Sequence, residues 1–230
     1  MLTGEDFKDG QVLLIDKPLH WTSFQVVNKI RWHIRQKYHI KKIKVGHAGT
    51  LDPLATGLLI LCTGKFTKQI ETYQAQTKEY TGEITLGATT PSYDLETEIN
   101  QTFSIEHITE DLIYKTAKQF EGEINQKPPI FSAIKKDGKK LYELAREGKT
   151  TEIKFRKITI EAFEITKIDL PKVEFRVVCS KGTYIRSLAF DFGEALNSGA
   201  YLSKLRRTKI GDFSVENATE PLTFVENNLS

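Results

Sequence analysis

The densest chemical signal in the chain is Gly46-His47-Ala48-Gly49-Thr50-Leu51-Asp52-Pro53-Leu54-Ala55-Thr56-Gly57. Pro53 restricts Asp52 to extended backbone, and the glycines let a ligand approach the main chain closely. A carboxylate on so rigid a loop, beside a buried strand, can act as nucleophile, base or metal ligand. It can equally cap a turn, a common use of Asp-Pro. Lysine or arginine would tune such a carboxylate, and a guanidinium also fixes its geometry. The segment Cys179-Ser180-Lys181-Gly182-Thr183-Tyr184-Ile185-Arg186 offers Tyr184 and Arg186 at a strand-to-helix junction. A surface arginine on a first helical turn has the same spacing. His47 alone is as compatible with a structural role as with a functional one. Cys62 ends an apolar strand with no adjacent base, which argues against a nucleophile. The five histidines (His20, His33, His39, His47 and His107) lack metal-ligand spacing. There is no GxSxG, Walker loop or GxGxxG.

These residues need elements to hold them. Residues 11–15 read as a short buried strand. Thr22 and Gln25 have the spacing of a capping box, and Val27, Ile30 and Ile34 recur at helical intervals, predicting a helix over about 23–37. Residues 58–62 (LLILC) read as a second buried strand, with a short helix after Gly64. In residues 78–87, Tyr80, Gly82, Ile84 and Leu86 alternate with Glu79, Thr81, Glu83 and Thr85, a strand with Tyr80 on its apolar side. Residues 109–121 predict a helix with Leu112, Ile113, Ala117 and Phe120 inward. The Lys-rich stretch of about 124–150 reads as an excursion from the core. Residues 151–180 give two or three strands, with Val173, Phe175, Val177 and Cys179 alternating. A helix from Gly182-Thr183 to about Leu196 buries Ile185, Leu188, Phe192 and Leu196, and a strand near 201–210 precedes an acidic tail. Strand pairs mixed with scattered helices favour α+β with a largely antiparallel sheet.

The composition bounds the class. The 230 residues are 39% hydrophobic and 27% charged, the make-up of a globular chain able to bury a core unaided. Two cysteines cannot build a disulfide framework, and both read as small buried hydrophobes in a reducing compartment. No apolar run reaches the roughly 20 residues of a membrane span. Glu5, Asp6 and Asp9 do not suit a secretory or transit signal, so the expected location is cytoplasmic. Bases cluster over 31–44, at Lys135, Lys136, Lys139 and Lys140, and at Lys204, Arg206, Arg207 and Lys209. Each cluster alone reads as a solvated face. Together, with Trp32, Tyr38, Phe131 and Tyr142 beside two of them, they point to a polyanion, most commonly nucleic acid.

The loop GHAGTLDPLATG resembles the catalytic motif of the TruB family of tRNA pseudouridine synthases. Four further segments resemble that family in order: LLIDKPLHWTS; Lys78-Glu79-Tyr80 and its strand; QKPPIFSAIKKDGKKLYELAREG; and CSKGTYIRSLAFDFGEAL with LRRTKIGDF. The resemblance covers residue 11 to about 213. It implies a pseudouridine synthase fold in one catalytic domain, 1–230, with an RNA-gripping thumb at about 124–150. It implies isomerisation of uridine 55 in the T loop of tRNA, with no cofactor, metal or guide RNA. Asp52 resembles the nucleophile, attacking base C6 or ribose C1′. Tyr80 resembles the residue that stacks on the flipped base and removes the C5 proton. Arg186 resembles the ion-pair partner of Asp52. Tyr184 and Leu205 resemble base-pocket residues, and His47 the residue that fills the space left by the flipped nucleotide. Lys17 resembles a structural or RNA-facing lysine. Lys135, Lys136, Lys139 and Lys140 suit the T-stem backbone.

Two departures stand out. Roughly 20 residues follow the LRR motif, too few for the C-terminal PUA domain of many relatives, so a catalytic-domain-only form is expected, and as nothing in the sequence demands a dimer, a monomer. Pro91 stands where the family usually has an acid, while Asp94 matches a later one. Two other readings compete: a non-catalytic RNA-binding or tRNA-folding module of the same fold, and a guide-directed synthase. Retention of Asp52, Tyr80 and Arg186 weighs against the first, and the missing C-terminal domain against the second.

Overall fold

A computed structural model describes residues 2–132, 135–136, 139–140 and 153–229, with only the backbone at 135–136 and 139–140. Along the chain come α1 (Gly4–Asp9), β1 (Val12–Lys17), α2 (Ser23–Lys37), β2 (Val45–His47) and β3 (Ala55–Thr63). A 3-10 turn leads to α3 (Ile70–Ala75), then β4 (Lys78–Leu86), β5 (Ala88–Thr89), β6 (Gln101–Thr102) and α4 (Glu110–Gln119). Next are β7 (Gly122–Gln126), β8 (Lys135–Lys136), β9 (Lys139–Lys140), β10 (Arg156–Asp169) and β11 (Lys172–Cys179). The described chain ends with α5 (Ile185–Ala195), β12 (Ala200–Ile210), β13 (Phe213–Ser214) and α6 (Pro221–Leu229). The architecture is α+β, with mixed and largely antiparallel strand pairing and flanking helices. Two compact units emerge: Met1–Tyr80 with Leu205–Ser230, and Thr81–Lys204.

The first unit is organised by β3. It pairs antiparallel with β1 (Lys17 opposite Gly57) and with β2 (His47 opposite Leu61). It pairs parallel with the end of β12, where Leu205 faces Ala55 and Arg207 faces Gly57. Both faces of β3 are covered, which explains its unbroken apolar run. Leu59 and Leu61 pack with Phe7, Ile15, Val27, Ile30 and Ile34, whereas Leu58, Ile60 and Cys62 pack with Ala48 and Ile210. Each fully buried Val, Leu, Ile or Phe among them contributes about 1.5–3 kcal/mol. The predicted capping box holds: Thr22 Oγ1 accepts from Gln25 N at 3.1 Å, and Thr22 N donates to Gln25 Oε1 at 2.7 Å.

The second unit holds the rest of β4, the β10–β11 hairpin and α5. Val173, Phe175, Val177 and Cys179 are all buried, as their alternation predicts. Phe163 lies edge-on to Phe175 and Phe192, with centroids 5.8 and 5.5 Å away. Residues 122–126, partly assigned to the excursion, instead form β7 on the edge of β10, with Gln126 buried. Most of the stretch read as an excursion lies outside the described residues. On β4 the polar side is not simply solvated. Glu83 is buried and bonded to Ser203 and Lys204 at 2.9 Å each. No helix among the described residues is long and apolar enough to cross a membrane.

Candidate active site

In the first unit the Asp52 loop spans β2 and β3, and it is fastened by its main chain. Ala48 N donates to Ile60 O at 2.9 Å, and Ala55 N donates to Asp52 O at 3.0 Å. Ser23, at the start of α2, clamps Leu51 from both sides: its Oγ accepts from Leu51 N at 2.9 Å and donates to Leu51 O at 3.1 Å. Arg207 on β12 is buried, with Nε donating to Leu58 O at 2.8 Å and Nη2 to Gly49 O at 3.0 Å. Gly57 must be glycine here. Its φ is +105°, and a Cβ would sit 2.3 Å from Arg207 O.

Lys17 lies at the end of β1, fully buried, donating to Pro18 O at 2.8 Å and Trp21 O at 2.6 Å. This corrects the RNA-facing half of its reading, because an enclosed ammonium cannot meet a phosphate. Burial pushes its pKa down to about 8, Asp52 opposes that shift and Arg207 adds to it. His47, half-buried, is likewise held below the usual imidazole range by burial and by Arg207, with the Gly49 backbone acting the other way. Its Nδ1 is enclosed without a hydrogen-bond partner among the described residues. Tyr80 is buried on β4 at 9% exposure. Leu205 is half-buried opposite Ala55, close in register to the Asp52 loop. Within this unit the structure thus gathers His47, Lys17, Asp52 and Leu205 around the β1–β3–β12 ladder.

The second unit carries Tyr184 and Arg186. Gln126 binds the Tyr184 backbone twice, accepting from its N–H at 2.8 Å and donating to its carbonyl at 3.1 Å. Arg186 is buried on the first turn of α5, not on the surface. The sequence reading gives it Asp52 as partner. Within the second unit its guanidinium meets Asp94 Oδ2 at 3.5 Å, Ser92 O at 3.2 Å and Phe131 O at 2.9 Å. Asp94 Oδ1 accepts from Ser92 Oγ at 2.6 Å and Glu96 N at 2.9 Å. The Pro91 departure is an exposed residue beside this network. The side chains of Lys135, Lys136, Lys139 and Lys140 lie outside the described residues, and their backbones form the β8–β9 ladder. Among the described residues no cluster of His, Cys, Asp and Glu could hold a metal.

The third basic cluster is recast. Arg207 is internal, Arg206 Nη2 pairs with Asp16 Oδ2 at 2.7 Å, and Lys204 pairs with Glu83 Oε2 at 2.9 Å. Sequence reasoning also missed Ser23 and Gln126. Their signal, a polar residue flanked by apolar ones, is too common to single them out.

The fold is α+β, with an ordered aspartate loop in one unit and a buried arginine at the start of a helix in the other. The family of TruB pseudouridylate synthases (N-terminal domain) matches residues 35–185. A tRNA pseudouridine synthase B of Flavobacterium johnsoniae is 66% identical, covering 98% of this chain and 99% of the relative. Another, of Phocaeicola vulgatus, is 57% identical over 96% and 94%. A crystal structure of a Cbf5–Nop10–Gar1 complex superposes with TM-score 0.70 at 30% identity, covering 96% of this chain. This chain spans only 56% of that one. The chain belongs to the TruB family of pseudouridylate synthases.

Proposed function

We propose that this chain is a tRNA pseudouridine synthase that isomerises uridine 55 of the T loop as a single catalytic domain, without cofactor, metal or guide RNA. The observation that carries the reading is the Asp52 loop, fixed by Ser23 and Arg207 with the Lys17 ammonium nearby. A nucleophile must be held in place before its substrate arrives. In the reaction the N1–C1′ bond breaks, C5 bonds to C1′, the C5 proton leaves and N1 gains one. Asp52 attacks C6 or C1′, and its bond to that carbon breaks again before product leaves, which regenerates the carboxylate. Tyr80 stacks on the base and takes the C5 proton, joining an aromatic face to an ionisable tip. Arg186 is the third catalytic residue. Tyr184 and Leu205 line the base pocket, and His47, kept neutral by burial, fills the vacated stack. The target base must be extruded at a cost of a few kcal/mol. Lys135, Lys136, Lys139 and Lys140 on the thumb help offset that cost by gripping the stem.

The test is pseudouridine mapping on an unmodified T-arm stem-loop, with no metal or guide RNA added. Wild type should convert the one loop uridine. Asp52→Asn should lose at least ~10³-fold in turnover while still folding and binding RNA. Wild-type turnover in Asp52→Asn would remove Asp52 as nucleophile. Binding without conversion by wild type would favour the non-catalytic module.

A further inference from the structure

On the outer side of α2, Trp21, Gln25, Asn28, Lys29, Trp32 and His33 line an open groove of about 730 Å³. That volume is in the range of ligand-sized clefts. Nothing in the proposed chemistry uses it. The helix itself explains the placement: Val26, Val27, Ile30 and Ile34 face the core, so positions 25, 29 and 32 share the opposite face. Trp32 is 55% exposed, and its indole lies edge-on to the His33 ring with centroids 4.5 Å apart. The two amide side chains already use their oxygens, Gln25 in the capping box and Asn28 as acceptor from Arg31. They have donor N–H groups left to offer.

The charge around the groove identifies the class of occupant. Between Lys17 and Leu51 the sequence has seven Lys or Arg residues and no Asp or Glu. Lys41, Lys42 and Lys44 follow the helix on exposed positions. The groove lining includes Lys29 and no carboxylate. Helix α6, which packs against α2, brings the exposed Glu226, which is not among the lining residues. Indoles for stacking, amide donors for base-edge acceptors and a one-signed run of cations suit an unpaired stretch of RNA.

We propose that the α2 groove is a second RNA-binding surface, which stacks an unpaired base against Trp32 and Trp21 while the cationic run after the helix follows the phosphates. The choice of RNA as the polymer rests on the function proposed above; the groove and its charge do not.

The molecule supplies its own reporter, because Trp21 and Trp32 are the only tryptophans in the chain. Intrinsic tryptophan fluorescence of the full chain is titrated with an oligouridylate of about eight nucleotides and with an unmodified tRNA transcript. Both should quench it, less so as salt rises. Trp32→Ala should bind the oligonucleotide about 5- to 100-fold more weakly. Trp32→Phe, which keeps an aromatic face, should recover part of that loss. Circular dichroism of the variants checks the fold. Unquenched fluorescence, or equal affinities for wild type and Trp32→Ala, overturns the proposal. Quenching that follows protein concentration without RNA overturns it too, and assigns the groove to a second copy of the chain. Conversion of the T-arm uridine by wild type is scored separately, so failure of the proposed activity is distinguishable from failure of this site.

Discussion

The two units bury their arginines in different ways. In the first, Arg207 and Lys17 give their hydrogen bonds to main-chain carbonyls: Gly49, Leu58, Pro18 and Trp21. Neutral acceptors satisfy the donors without cancelling the charge. Both cations therefore keep their charge beneath the loop of Asp52; burial first, and Arg207 to a lesser degree, lowers the pKa of Lys17 and of His47. In the second unit Arg186 meets a buried carboxylate, Asp94, whose other oxygen is held by Ser92 and Glu96. That guanidinium is neutralised locally and its position is fixed from several sides. One device shapes a potential and a loop; the other fixes a side chain.

The contrast can be broken experimentally. The largest effect on stability should follow Arg186→Met, which leaves Asp94 buried and uncompensated, at about 3–5 kcal/mol by denaturant unfolding. Adding Asp94→Leu should restore most of that loss, because the pair is removed together. A double replacement as costly as the sum of the singles would mean that the pair is not a local unit. Arg207→Met should cost about 2–4 kcal/mol, since two carbonyls lose their donor. No single partner change should rescue it. Recovery by one acidic-to-neutral substitution would place Arg207 in the same class as Arg186. Ser23→Ala should cost about 1–2 kcal/mol and loosen Leu51, read as faster hydrogen exchange at the Leu51 amide. Unchanged exchange would show that Arg207 alone fixes the loop.

The smallest effect concerns the Lys17 proton. Nuclear magnetic resonance of lysine side chains should find Lys17 titrating near pH 8. Its folded pKa lies below the unfolded value, so from about pH 8 up to the ordinary lysine range the unfolded chain holds more protons. The contribution of Lys17 to stability therefore rises with pH across that window and is constant below it. Asp52→Asn removes the attraction that favours the ammonium, and the midpoint should move lower. An unmoved midpoint would uncouple Lys17 from Asp52.

Much of the fold was legible in the sequence where periodicity and capping agreed. Helix α2 begins and ends as its capping box and apolar spacing predict, and β11 buries every second residue. Two short helices were not anticipated although local signals exist. Thr3 and Asp6 form a capping box for α1, and Pro221 opens α6 at a position that tolerates proline. The order of the Asp52 loop was legible from its glycines and Pro53. What holds the loop was not, because its fastenings come from residues 23, 60 and 207, far apart along the chain.

The sequence by itself determined the local conformations and the family, since turn chemistry, apolar period and motif order are properties of neighbouring residues. Only the tertiary structure decided the fate of each charge. Arg206 and Arg207 are adjacent and chemically alike, yet the first reaches Asp16 at a partly exposed edge and the second is sealed beneath the loop. Side chains of successive strand residues point to opposite faces, and the sign and strength of an electrostatic effect depend on which face is closed to water.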